Sequence, residues 1–176
     1  CLVGSEMCIR DRYAPAGFNR GALNFVASTA VRLNSNDRDF LYDNRINPIT
    51  SFPGTGYVIF GQKTLQVGKS ALDRVNVRRL VNEVKRTVSN IANNFLFEQN
   101  NAATRAAFVA QVNPLLALVQ AQQGIEGFRV IVDETNNTQT DAIANRLNGR
   151  VIIIPTRAVE FISIDFIVTD NGASFV

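Results

Sequence analysis

Val77, Leu80, Val81, Val84, Val88, Ile91 and Phe95 recur at three- and four-residue steps. That spacing aligns them in one narrow stripe on a helix of about residues 75–96. A stripe of this kind has to be covered by other apolar surface, and the chain that follows supplies it. A second helix is predicted over about 102–122, capped by Asn100 or Asn101, with Phe108, Val112, Leu115, Leu116 and Val119 inward. Pro114 falls inside it and predicts a bend or a restart, because proline removes a backbone donor and crowds the previous turn. Gly124 is the expected C-cap.

The strand signals around this pair are short. Tyr57-Val58-Ile59-Phe60 is apolar and β-prone between Gly56 and Gly61. Phe128-Arg129-Val130-Ile131-Val132-Asp133 and Val151-Ile152-Ile153-Ile154 read as strands, the second stopped by Pro155. Ala158 to Thr169 is predicted as the longest strand, with Ile162, Ile164, Phe166 and Val168 on one face and Ser163, Asp165 and Thr169 on the other. Upstream, Ala27 to Leu33 predicts a short strand. Ser35 predicts the N-cap of a helix over 36–43, with Asp37 and Asp39 in its first turn, where carboxylates suit the helix dipole. Asn47-Pro48 stops that helix and a loop is expected to Pro53-Gly54; Thr140 to Arg146 is expected to form one helical turn. The pattern is α/β (α+β): a mixed β-sheet packed with two long helices.

Composition narrows the function. The chain has 176 residues, 46% apolar and 19% charged, which excludes a wholly disordered or collagen-like chain. It has no His, so the commonest general base and the commonest metal ligand are both missing. Cys1 and Cys8, with the only Met, lie within the first twelve residues, Cys1 to Arg12. That stretch resembles a translated adapter or assembly scar and is expected to lie outside the fold. A disulfide or metal role for the two cysteines has no companion ligands to support it. The start at Cys1 instead of Met reads as a fragment or a clipped product. The rest divides into a Gly/Asn-rich lead-in over 13–50, an α/β domain over 51–169 and a tail over 170–176. No apolar run approaches the roughly 20 residues of a membrane span.

Three stretches invite chemistry. Gly56 to Thr64 holds two glycines and a Lys-Thr pair, but Gln62 separates Gly61 from Lys63, and the residues between the glycines are bulky. A phosphate loop needs exposed backbone N–H groups directly before a helix, so a strand bracketed by turn glycines fits the segment instead. Val130-Ile131-Val132-Asp133-Glu134 resembles an apolar strand whose acids hold a nucleotide-bound metal, yet the sequence nominates no further oxygen ligands for Asp133. A nucleotide-binding α/β module built on Lys63 and Asp133 stays open as an alternative. Arg74, Arg78 and Lys85 fall on one side of the long helix, with Arg79 and Arg86 further round and Glu83 the one acid between Arg74 and Arg86. Such a face is either solvated or docks an acidic partner by charge complementarity. Nucleic acid is disfavoured, since no aromatics interleave the basic residues. No Cys–His or Ser–His pair exists, and no catalytic residue, cofactor or metal site is nominated.

The order of short blocks along the chain resembles the C-terminal part of contractile phage tail sheath proteins. These blocks are Ala14-Pro15-Ala16-Gly17 with Arg20-Gly21, Leu41-Tyr42 followed by Ile46-Asn47-Pro48-Ile49, and Gly56 to Leu65 ending in Phe60-Gly61-Gln62-Lys63-Thr64-Leu65. They continue with Val75-Asn76-Val77-Arg78-Arg79-Leu80, Phe97-Glu98 with Asn100 and Thr104-Arg105, Asp133 with Asn136-Asn137-Thr138, and Pro155-Thr156-Arg157-Ala158-Val159-Glu160-Phe161-Ile162.

The resemblance implies a structural subunit, not an enzyme. Sheath proteins of this family assemble as stacked hexameric rings around a tail tube and contract to drive the tube through the target envelope. The part matched corresponds to the inner, tube-proximal domain; the N-terminal arm and outer domains of such proteins lie outside these residues. Neighbouring subunits are linked by terminal arms that add strands to one another's sheets. The implied partners are further copies of the chain, the tail tube protein, and baseplate and tail terminator proteins, without nucleic acid and without direct membrane insertion. The implied location is the virion tail, assembled in the host cytoplasm. The expected tube-facing residues are Arg74, Arg78, Lys85, Arg79 and Arg86, and the expected inter-subunit strand carries Phe161, Ile162, Ile164, Phe166 and Val168. The sheath of a phage-tail-like bacteriocin, secretion system or injection system is the alternative with the same mechanism.

Overall fold

The computed structural model describes residues 13–164. Asn34 opens the first helix, α1 (Ser35–Asp43): its side chain accepts the Asp37 N–H at 2.9 Å, and the Asp37 carboxylate accepts the Asn34 N–H at 3.0 Å. This reciprocal box satisfies two otherwise orphaned donors and sets the cap one residue before the expected Ser35. Pro48 then leads directly into a strand where a loop was expected. β2 (Ile49–Phe52) returns through Pro53-Gly54 as β3 (Gly56–Ile59), pairing Ile49 with Ile59 and Phe52 with Gly56. Gly54 and Gly56 take φ of 80° and 78°, the left-handed region this tight return needs.

β1 (Ala22–Leu23) pairs antiparallel with β3, giving the order β1-β3-β2. The strand expected over Ala27 to Leu33 does not form. Val31 is exposed there, and the Thr29 hydroxyl donates to the Val31 carbonyl at 3.0 Å, a local bond in place of a ladder. The lead-in is fastened to the sheet by Phe18, Phe52 and Phe60, whose ring centroids lie 4.9 to 5.9 Å apart in edge-on and tilted contacts. Asn47 adds a peptide-like clasp: its side chain accepts the Lys63 N–H at 2.8 Å and donates to the Lys63 carbonyl at 2.9 Å.

The second unit holds the apolar core. α2 (Val75–Asn93) ends at Asn93 instead of near residue 96, and α3 (Ala102–Ala121) starts from Asn101, whose side chain accepts the Thr104 N–H at 2.8 Å. β4 (Ile125–Ile131), the short α4 (Gln139–Ile143) and β5 (Arg150–Pro155) complete it. Leu80 and Val84 of α2 meet Phe108, Val112 and Leu116 of α3, over Ile125 and Val132. Val88, Ile91 and Phe95 extend the seam, and the Phe95 ring packs edge-on against Phe108 at 5.6 Å. The expected stripe and its expected cover therefore do meet.

Three expectations about α3 are corrected. The helix does not restart at Pro114: Ala110, Asn113 and Pro114 face solvent, so the carbonyl left without its donor can reach water. The left-handed residue closing it is Gln123 (φ 61°), and Gly124 instead donates its N–H to the Val119 carbonyl at 3.0 Å. α3 is also long and apolar enough to cross a membrane by length and composition alone, contrary to the sequence expectation. Its Phe108, Val112 and Leu116 stripe is spent on the core.

The α+β class holds, but the expected single mixed sheet is two separate antiparallel sheets, β1-β3-β2 and β4-β5. β4 and β5 pair from Ile131–Arg150 to Ile125–Pro155, with an irregularity between Ile125 and Gly127. The two helices lie between β3 and β4 along the chain, and among the described residues the two sets of strands share no ladder. Leu116 is fully buried at the centre of the seam. Truncation to Leu116→Ala is expected to destabilise the chain by about 3 kcal/mol, as cavity-forming Leu→Ala changes do. A guanidinium denaturation midpoint unchanged from the parent chain would contradict this seam as the stabilising core.

Candidate assembly interface

Beyond β5 the chain was expected to continue as the long strand Ala158 to Thr169. Residues 158–164 form no strand, and Phe166 and Val168 lie outside the described residues. A strand exists only when a neighbour takes its backbone hydrogen bonds, and among the described residues none lies alongside. The Thr156 N–H, donating to the Gly124 carbonyl at 3.2 Å, is the last backbone tie to β4 and its turn. Past it, Val159, Phe161, Ile162 and Ile164 are all exposed, Phe161 by 82%.

Glu160 alone of this stretch turns inward, and three side chains converge on it. Arg74 grips the carboxylate with both forks of its guanidinium, Nε to Oε1 at 2.6 Å and Nη2 to Oε2 at 2.9 Å. The Tyr42 hydroxyl donates to Oε2 at 2.6 Å, and Gln62 Nε2 donates to Oε1 at 3.2 Å. Asp73, itself buried, faces the other side of Arg74 at 3.2 Å. The clamp thus joins α1, the chain after β3 and the start of α2 to the segment after β5. Burial alone would push the Glu160 carboxyl up; the hydrogen bonds from Arg74, Tyr42 and Gln62 outweigh it and hold the group below its usual value. Burial and the Glu160 charge push the Tyr42 phenol well above its ordinary range. The bond to Glu160 likewise raises Arg74.

This geometry revises the basic row read from the sequence. Arg74 precedes α2 as its N-cap and is committed to Glu160, not displayed on the helix face. Arg78 is exposed and donates to the Leu72 carbonyl at 3.2 Å and to Gln66 Oε1 at 3.0 Å. Arg86 pairs with Glu83 at 2.8 Å, Arg79 is half-buried, and Lys85 is exposed. Arg78 and Lys85, seven residues apart, share one face of α2.

The residues of the nucleotide alternative are occupied elsewhere. β3 runs into a loop that reaches a helix only at Val75, so no phosphate-type turn forms. The Lys63 ammonium donates to the Tyr42 carbonyl at 2.7 Å and sits 3.7 Å from the centre of the Tyr42 ring. The Asp133 carboxylate caps its own turn, accepting from the hydroxyl and N–H of Thr135, and those bonds hold it below its usual value. Among the described residues no group of three acidic or thiol ligands is placed to hold a metal.

The second candidate surface is β4–β5. Val151 and Ile153 pack on the core while Ile152 and Ile154 remain exposed, so the pair is apolar on both faces. No third strand adjoins it among the described residues. Two-stranded sheets with an exposed apolar face are marginal alone and invite a further strand.

Residues 69–169 match the family described as the phage tail sheath C-terminal domain. The chain belongs to that family. It is 40% identical over 162 residues to the tail sheath protein of Vibrio phage KVP40 and 39% identical over 162 residues to that of Enterobacteria phage T4, covering 92% of this chain in both cases. It spans about a quarter of the length of these curated relatives (24% and 25%). Among solved structures it is similar to the sheath complex of an extracellular contractile injection system, PVC, in the contracted state. That match has a TM-score of 0.81 at 27% identity and covers 89% of this chain and 45% of the other. The baseplate structure of the anti-feeding prophage contains the same fold, with a TM-score of 0.83 at 23% identity over 90% of this chain and 45% of that one.

The clamp has a defined pH window. Glu160 is depressed in the fold, so its contribution is fully present above the ordinary Glu value of about 4.3 and lost as pH falls through the lower folded value. Tyr42 is raised, so its contribution is intact below about 10 and lost as pH rises beyond. Glu160→Gln is expected to cost about 2 kcal/mol between these limits, the scale of a charge-assisted bond, and to flatten the acid limb. Denaturation midpoints of the two chains across pH check this; parallel acid limbs would contradict it.

Proposed function

We propose that this chain is the inner, tube-proximal part of a contractile tail sheath subunit. The subunit polymerises as stacked hexameric rings around a tail tube and shortens to drive the tube through the target envelope. The observation that carries this is the pairing of an incomplete sheet with an unpaired segment: β4–β5 lacks a third strand among the described residues, and the chain leaves it with Phe161, Ile162 and Ile164 turned outward. Supplied by a neighbouring copy, that segment would add main-chain hydrogen bonds to the open edge, with alternate side chains fixing register. Arg78 and Lys85, with Arg79 and Arg86 further round α2, would face an acidic tube surface, while Arg74 holds Glu160 behind them.

The partners on this view are other copies of the chain, the tube protein, and the baseplate and terminator proteins that close the two ends. Assembly takes place in the host cytoplasm and the product is a virion tail. The phage setting is favoured by relatives at 34–40% identity that are phage tail sheath proteins. The sheath of an injection system is the second reading, favoured by the TM-score of 0.81 to the PVC sheath.

The test is negative-stain electron microscopy of the full-length protein that carries this chain, expressed with its tube protein. Hollow striated cylinders are expected, and dispersed particles would overturn the sheath reading. The double reversal Arg78→Glu with Lys85→Glu is expected to abolish tube-templated cylinders at low salt, where surface charges are least screened. Cylinders as abundant as those of the parent would remove these two residues from the tube contact.

A further inference from the structure

On the reading that the segment beyond Phe161 joins a neighbouring copy, we infer that Glu160 is the positioning residue of that segment. Its clamp fixes where and in which direction the chain leaves the domain, and ties that exit to α1 and to the chain after β3. Three observations carry this. First, Glu160 is the one inward side chain in a run whose neighbours Val159 and Phe161 are 78% and 82% exposed. With β5 ended at Pro155, the carboxylate is the fixed point nearest the exit. Second, the donors come from places far apart in sequence: Tyr42 lies 118 residues away, Gln62 98 and Arg74 86. A bidentate guanidinium with a phenol and an amide sets the orientation of a carboxylate as well as its place.

Third, Gln62 is 4% exposed and its Oε1 finds no partner among the described residues, while its Nε2 is given to Glu160. An unpaired buried acceptor is costly. The arrangement tolerates that cost on the acceptor side while the donor side serves the carboxylate. The cleft beside the clamp has a volume of about 210 Å³ and is walled by the lead-in at Ala14, Ala16 and Tyr42 and by the exiting chain at Val159 and Phe161. The lead-in and the exit therefore form two walls of one feature, and the clamp holds them at a set spacing.

The test is hydrogen exchange on the full-length protein that carries this chain, comparing the parent with Glu160→Gln and Tyr42→Phe, alongside cylinder formation with the tube protein. Glu160→Gln is expected to speed exchange of the Thr156 amide, the last N–H before the exit with a backbone acceptor among the described residues, by about tenfold or more, as loss of charge-assisted bonds implies. Amides of β4 and β5 should stay at the parent's rate, and cylinder yield should fall. Tyr42→Phe, which keeps the ring and removes only the donor, is expected to do the same to a smaller extent. It carries the test if Glu160→Gln does not fold. Unchanged exchange at Thr156 would overturn the inference. So would exchange that rises equally in β4 and β5, since Glu160 would then be a general stabiliser. Absence of cylinders from the parent would count against the sheath reading alone, because the exchange comparison still decides the clamp.

Discussion

The seam between α2 and α3 carries the apolar burial on which the other elements hang. Leu80 and Val84 on one side and Phe108, Val112 and Leu116 on the other close over Ile125 and Val132, and Phe95 continues the line. β4–β5 is held against this seam through Phe128, Val130, Val151 and Ile153. Two strands with no third could not persist without it. The seam also explains why so much apolar surface remains outside: one stripe of each helix is used, and Leu118, Ile152 and Ile154 face away.

Much of this was legible in the sequence because the signal was periodic. The seven-residue stripe of α2 and the inward set of α3 name the core almost residue for residue, since a helix converts spacing directly into a face. β3, β4 and β5 were found within a few residues by their β-branched runs between turn formers. What failed lacked such periodicity. β2 is four residues between two prolines, and it exists because β3 accepts its ladder, a long-range fact. The strand expected from Ala158 follows the alternation, but residues 158–164 form no strand and the rest of it lies outside the described residues. Alternation states what a segment could pair with, and the pairing partner is not among the described residues.

The candidate joining segment is visible in the sequence, whereas the clamp behind it is not. Phe161, Ile162 and Ile164 stood out as an apolar alternating run, and they are exposed as a joining segment would require. Arg74 was read as one cation in a helical row because it sits at the row's spacing; the fold instead makes it the last residue before the helix and gives it to Glu160. No local pattern marks Tyr42, Gln62 and Glu160 as a set. Only Gln62's place between a strand and a lysine, where it spoiled a phosphate-loop spacing, hinted that it had another task.

The clasp between Tyr42 and Glu160 also has a mechanical meaning. A pull on the chain beyond Phe161 meets Glu160 before it meets Pro155. The load divides there between the guanidinium at the start of α2 and the phenol on α1, and the ladder of β5 is bypassed. Force reaches the core first through side-chain bonds at the start of α2 and on α1, before it can peel the two-stranded ribbon of β4 and β5 one rung at a time.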